Sequence, residues 1–205
     1  MKFIKQILPL VLITIVLVIS GENVSAQMKA KPKTVADYFM LLPQKYLSIL
    51  EYYKNRRAAI ETLDVKNGYL EVKAKVWDGE TSDAEIALFR QSNGAATIAV
   101  AETNCGMDDC AGSLTLLEYD GKKWTDVTEN AMPEITGKML NDAFDRIKTA
   151  QDDALGDGET LKKYFLLPRQ GITITVALGG LTASSSQPLF YLKWNGARFV
   201  FSETK

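Results

Sequence analysis

The chain carries two cysteines, Cys105 and Cys110, in the stretch ETNCGMDDCAG, with Met107, Asp108 and Asp109 between them. Such a pair can form a structural disulfide, cycle as a redox couple, or ligate a metal. The spacing is Cys-x4-Cys and not the Cys-x-x-Cys of thioredoxin-like sites, and no alternating βαβ pattern surrounds it. Two thiolates fill only half of a tetrahedral zinc site, and the 205 residues include no histidine to complete it. A disulfide stapling a short loop is therefore the leading reading. By the chain-entropy estimate it stabilises by only about 2 kcal/mol, so it would hold the loop's shape more than the fold.

The missing histidine also removes Ser-His-Asp and Cys-His catalysis and imidazole acid–base chemistry. No G-x-S-x-G, P-loop or G-x-G-x-x-G pattern is present. Carboxylates remain. Asp83, Glu85, Glu102, Asp108 and Asp109 form a pool from which a glycosidase-type acid–base pair could be drawn, but spacing alone singles out no pair. The segment QDDALGDGET at 151–160 resembles a calcium loop at first sight. Counted from Asp153, however, position three is Leu155 and position twelve is Tyr164, where an acid is required. No metal or cofactor is expected. A last candidate is an aromatic face of Tyr119, Trp124, Tyr191 and Trp194, suited to a carbohydrate. These residues flank hairpins, where aromatic pairs also stabilise sheets, and that second reading weighs more.

The elements that would position these residues follow from periodicity. Thr34 with Asp37 three residues on predicts a helix start, with Tyr38, Phe39, Leu41 and Leu42 in its first turns and Pro43 interrupting it. From Lys45 to Leu63 apolar residues recur at three- and four-residue spacing, which predicts an amphipathic helix. Beyond Asp64 the period becomes two. YLEVKAKVW, AEIALFR, ATIAVAET, SLTLLEY, KWTDVT, ITITVAL, LFYLKW and ARFVFSE read as about eight strands. The first is entered through an Asn67-Gly68 turn, Asn93-Gly94, Asp120-Gly121 and Asn195-Gly196 join later pairs as hairpins, and type I′ turns are expected at the hairpins. A second amphipathic helix is expected over about Pro133–Gln151, with Asp142 and Arg146 as an i,i+4 pair. The segments starting at Thr97 and Thr173 align as strand, loop, strand, Asx-Gly turn, strand. Tyr119 then matches Trp194, and Trp124 matches Phe199. The expected fold is α+β: a curved antiparallel sheet with two similar three-strand units, packed by two amphipathic helices.

The first 26 residues have the three parts of a secretory signal peptide. Lys2 and Lys5 precede an apolar run from Ile7 to Ile19, and Val24-Ser25-Ala26 offers a cleavage site. Residues 27–33 would be a flexible leader and 34–205 a single domain. Export, to a periplasm or to the medium, suits the disulfide. With 24 basic and 25 acidic residues, the chain has no electrostatic footprint for nucleic acid. The function expected is that of a non-catalytic binding or inhibitor-like module acting through the stapled loop on an exported or envelope protein or glycan. A carboxylate-dependent hydrolase of envelope glycans and a structural envelope component are the alternatives.

Overall fold

Strict alternation of side chains from Tyr69 onward makes a sheet with two usable faces, one of them covered by the N-terminal segment and the other covered in part by a second sheet. The computed structural model describes residues 32–77, 80–105, 110–147, 162–178 and 188–202. Six strands form an antiparallel meander: β1 (Ile60–Asp64), β2 (Tyr69–Trp77), β3 (Glu80–Arg90), β4 (Ala96–Cys105), β5 (Cys110–Tyr119) and β6 (Trp124–Asp126). Four more, β7 (Lys163–Leu166), β8 (Thr173–Leu178), β9 (Pro188–Trp194) and β10 (Phe199–Ser202), form a second antiparallel meander. The α+β class expected from sequence is observed. The single sheet of about eight strands is corrected to two sheets, of six and four strands.

The N-terminal segment packs on one face of the six-stranded sheet. Leu70, Val72, Ile86, Ile98, Val100 and Leu117 meet Val35, Phe39, Leu42, Leu47 and Ile49 there. The four-stranded sheet takes the other face, where Tyr69, Ala87, Phe89, Ala99 and Leu116 meet Phe165, Ile174, Val176, Leu192 and Trp194. Consecutive residues such as Tyr69 and Leu70 therefore enter different cores. That is how period-two alternation with few exposed apolar residues arises in a sheet buried on both sides.

Helix α1 (Val35–Leu41) starts on the capping box foreseen. Thr34 Oγ1 accepts from the Asp37 amide at 3.2 Å, and Asp37 Oδ2 accepts from the Thr34 amide at 2.9 Å. The helix stops because Leu42 precedes Pro43 and is forced into extended backbone. The helix expected over Lys45–Leu63 is not formed. Three 3₁₀ turns, Gln44–Tyr46, Ser48–Tyr52 and Arg56–Ala59, fill its first part, and β1 takes the rest. Spacing of three satisfies 3₁₀ turns as well as a helix. Leu47 is extended between two of the turns, and Asn55 restarts the chain by accepting from the Arg57 amide.

The second helix is shorter than expected within the described residues. α2 (Thr128–Ala131) precedes this stretch, α3 (Gly137–Ile147) lies within it, and α3 packs Leu140 and Ala143 on Leu189 of β9. Asp142 takes Lys138 as its i,i+4 partner at 2.6 Å, not the Arg146 expected.

The hairpins also depart from two-residue type I′ turns. Tyr119 pairs with Trp124, and Trp194 with Phe199, so each loop holds four residues. The Asx side chain supplies what the shorter turn would have supplied. Asp120 Oδ1 accepts from the amides of Lys122 and Lys123, each at 2.7 Å. Asn195 Oδ1 accepts from those of Ala197 and Arg198 at 3.0 and 2.9 Å. Gly121 and Gly196 follow at φ 103° and 96°, a region that L side chains avoid.

Candidate functional site

Strands β3, β4 and β5 run in unbroken register to a common end. Thr81 pairs with Cys105, and Cys105 with Cys110, closing a ladder that starts at Thr97 and Glu118. The two cysteines are therefore directly opposed at the mouth of the β4–β5 loop, and Cys105 is not a free thiol. The residues singled out in the loop, Met107, Asp108 and Asp109, lie outside the described residues, as does the segment 151–160.

The four candidate aromatics do not assemble into one surface. Trp194 is 4 % exposed and packs on Phe89 and Phe199, with its indole N–H donating to the Arg90 carbonyl at 2.8 Å. Trp124 and Tyr119 pair on the opposite side of the six-stranded sheet. Trp124 reaches Tyr38 and donates to the Leu41 carbonyl at 3.1 Å. Tyr191 is half-buried on β9. The two aromatic pairs matched in the internal alignment are thus cross-strand partners, 4.9 and 5.0 Å between ring centroids, and they serve packing.

The carboxylate pool divides by strand alternation. Glu102 lies on the side of the N-terminal segment and accepts from the Ser48 hydroxyl at 2.6 Å and from the Ser48 and Ile49 amides at 3.3 and 3.0 Å. It caps the 3₁₀ turn Ser48–Tyr52 from a distant strand. Asp83 and Glu85, two apart on β3, share the other face. Glu71 stands directly opposite Glu85, and Lys73 opposite Asp83. The four-stranded sheet covers this face only in part. Towards the loop end Glu71, Asp83, Glu85 and Thr103 are half-buried and Lys73 is exposed.

Glu85 fastens the two sheets to one another. Its Oε1 accepts from the Tyr69 hydroxyl at 3.0 Å, and its Oε2 from the Leu167 amide at 2.5 Å. Burial, with the negative charges of Glu71 and Asp83, raises its proton affinity, and the two hydrogen bonds only partly oppose this. Asp83 is raised for the same first reason, burial, with Lys73 opposing and Glu71 and Glu61 adding to it. Burial beside Glu85 pushes Tyr69 well above the ordinary tyrosine range. Lys73 is held by Glu71 at 3.1 Å, and Glu71 also accepts from Thr62.

Tyr164 forms part of the wall. It is 5 % exposed, its Cβ presses against Gly112, and its hydroxyl, raised by burial and by Glu85, has no hydrogen-bond partner among the described residues. Sequence reading placed Asp83 and Glu85 in the pool but missed Glu71, Tyr69 and Tyr164. Tyr69, Glu71 and Lys73 were legible as one face of β2. What was not legible is that a second sheet half covers it. Among the described residues no group of three acidic or sulfur side chains is placed to hold a metal ion.

No protein-family model matches the chain, and no curated protein matches it. Among solved structures, a domain of an uncharacterized protein from Porphyromonas gingivalis W83 is similar, with a TM-score of 0.55 at 14 % identity over 84 % of this chain and all of that one. At that identity the likeness is one of fold.

Proposed function

We propose that the chain is an exported, non-catalytic binding or inhibitor-like module. It would present the β4–β5 loop, stapled by a Cys105–Cys110 disulfide, to a protein or glycan partner outside the cytoplasm. The observation that carries this reading is the direct opposition of the two cysteines at the end of an unbroken ladder. Directly opposed residues of an antiparallel pair have Cα atoms about 4.5–5.5 Å apart, inside the roughly 4.4–6.8 Å that a disulfide bridges. A loop of four residues closed in this way has little freedom left to lose on binding, and that lowers the cost of association. Asp108 and Asp109 would supply the polar contacts and Met107 an adaptable apolar one. The N-terminal sequence pattern supports export with removal of residues 1–26.

The test is capture from an envelope extract with the mature protein, the Cys105→Ser/Cys110→Ser variant and the Asp108→Asn/Asp109→Asn variant. A partner retained by the first and lost by both variants is expected. Two free thiols by non-reducing mass measurement after export, or partners indifferent to both variants, would overturn the reading.

The hydrolase reading draws on one observation, the raised proton affinity of Asp83 and Glu85 on a shared face. Against it, both oxygens of Glu85 are already engaged by Tyr69 and Leu167. Turnover of envelope glycan that Asp83→Asn abolishes would move the assignment to that reading.

A further inference from the structure

Five turns of the two meanders reach one end of the fold, opposite the end where Cys105 pairs with Cys110. The six-stranded sheet turns there between β1 and β2, between β3 and β4, and between β5 and β6. The second sheet is fixed to it in the same sense. Ser92 donates its amide to the Gly196 carbonyl at 3.0 Å, and Arg169 Nε meets Asp64 Oδ2 at 3.2 Å. The β7–β8 and β9–β10 turns therefore stand beside the other three. The chain also enters the fold here, where the Lys33 carbonyl accepts from the Arg90 guanidinium at 3.3 Å.

Charge is divided unevenly at this end. Lys66, Lys122, Lys123 and Arg198 are exposed on three of the turns, and their side chains form no ion pair or hydrogen bond among the described residues. Lys33 and Arg90 are exposed beside them. The carboxylates, in contrast, are engaged by the fold itself. Asp37 accepts from the amides of Lys33 and Thr34, and Asp120 from those of Lys122 and Lys123. Asp64 accepts from Asn67 and Arg169, and Glu118 from Gln91. These bonds hold the turns in shape and leave the cations without a bonded counter-charge.

Two apolar side chains stand among these cations. Val65, in the β1–β2 turn next to Lys66, is 50 % exposed, and Ile172, in the β7–β8 turn, is 44 % exposed. The Arg169–Asp64 pair ties their two turns together. A soluble polyanion offers such side chains no apolar phase to enter. A bilayer does, directly beneath its anionic headgroups.

We propose that this turn end docks on the surface of a bilayer that carries anionic phospholipid. The turn cations lie over the headgroups, and Val65 and Ile172 reach the apolar boundary beneath them. A few charges and two aliphatic side chains give reversible attachment, not insertion. The proposal goes beyond the loop reading and does not depend on it. A bilayer at this end leaves the cysteine end of β4 and β5 directed away from the surface, open to a partner.

The experiment is flotation of the mature protein, residues 27–205, with vesicles of phosphatidylglycerol and phosphatidylcholine in equal parts and with vesicles of phosphatidylcholine alone. Use of the mature protein keeps the apolar run Ile7–Ile19 out of the measurement. Binding to the mixed vesicles is expected, falling as salt is raised, with little binding to the neutral ones. Lys122→Gln/Arg198→Gln should weaken it roughly tenfold or more, the scale of two lost surface cations. Lys54→Gln/Arg57→Gln, the same change of charge on the N-terminal segment, should have little effect. Val65→Ser/Ile172→Ser should weaken vesicle binding by about fivefold or more and leave binding of soluble polyphosphate unchanged. Circular dichroism and the urea midpoint establish that each variant is folded. Equal binding to neutral vesicles, no loss from Lys122→Gln/Arg198→Gln, or an equal loss from Lys54→Gln/Arg57→Gln would overturn the docking surface. Vesicle binding indifferent to Val65→Ser/Ile172→Ser would make this end a site for soluble polyanions and overturn the bilayer assignment. The loop reading is tested apart from this one, since Cys105→Ser/Cys110→Ser should leave vesicle binding unchanged. A loss there as large as that from Lys122→Gln/Arg198→Gln would move the contact to the cysteine end and overturn the proposal.

Discussion

Two glutamates on neighbouring strands, one register row apart, fasten the two faces of the central sheet by different means. Glu102 on β4 faces the N-terminal segment and collects three donors from Ser48 and Ile49. Glu85 on β3 faces the second sheet, collects one amide and one phenol, and has Glu71 and Asp83 as neighbours. The first carboxylate supplies what the open start of a 3₁₀ turn lacks, so charge and geometry agree. The second is asked to stay ionised in a half-buried, already negative place. The same residue type therefore acts as a fastener on one side and carries a standing electrostatic cost on the other. The side with the strained carboxylate is also the one that lies open towards the cysteine end.

The packing of the two faces differs as well, and that gives the largest expected effect. β7 crosses so close to β5 that a Cβ on Gly112 would lie 2.5 Å from Tyr164 Cβ and 2.7 Å from its Cα. Neither atom can swing away as a flexible side-chain end could. Gly112→Ala should destabilise by about 3 kcal/mol or more, since overpacking against backbone has few routes of relief. Urea unfolding measures this, and a change under about 0.5 kcal/mol, the range of a surface substitution, would show that the sheets do not approach so closely.

Next in size is the fastener on the other face. Glu102→Ala leaves the Ser48 and Ile49 amides without their acceptor, and Ile49 is fully buried. A loss of about 2–3 kcal/mol is expected, as for hydrogen bonds to a charged group. Glu102→Gln keeps one acceptor and should lose roughly half as much. Amide exchange at Ile49 should quicken in the same order. Equal exchange in all three proteins would make Glu102 a bystander.

Sequence made one side of this comparison more legible than the other. The capping box at Thr34 and the alternation of β2 to β5 rest on residues a few positions apart, and they were readable. The Asx-Gly turns were readable as positions but not as types, because loop length depends on register. Between Lys45 and Leu63, spacing of three fits a helix and 3₁₀ turns alike, so β1 was hidden inside an apparent helix. The short β7, KYFL, offers no alternation to detect. The division into two sheets has no local signature, since β8 to β10 alternate as β3 to β5 do. For the site, Asp83 and Glu85 stood in the carboxylate pool on residue type alone. What distinguishes Glu85 is an amide 82 residues away, at Leu167, and no spacing along the chain announces such a partner.

The smallest effect sharpens the comparison most directly. Because the folded protein holds the Glu85 proton more tightly than an exposed glutamate does, the ionised form costs stability at neutral pH. That cost disappears as the pH falls through the folded value towards that of the unfolded chain. Asp37, Asp64 and Asp120 run the other way. Hydrogen bonds to their charged forms lower their proton affinity, so acid removes the stability they supply. The whole protein's pH curve therefore mixes both signs, and the informative quantity is the difference between wild type and Glu85→Gln. Stability of the wild type relative to this variant should rise as pH is lowered from 7 towards 5, with urea midpoints compared at constant ionic strength. The change should be smaller than the loss from either substitution above, since a tenfold difference in proton affinity is worth only about 1.4 kcal/mol. A difference that stays flat would mean that the Tyr69 and Leu167 donors fully compensate for burial. A difference that falls would mean that they overcompensate, and Glu85 would then be a fastener of the same kind as Glu102.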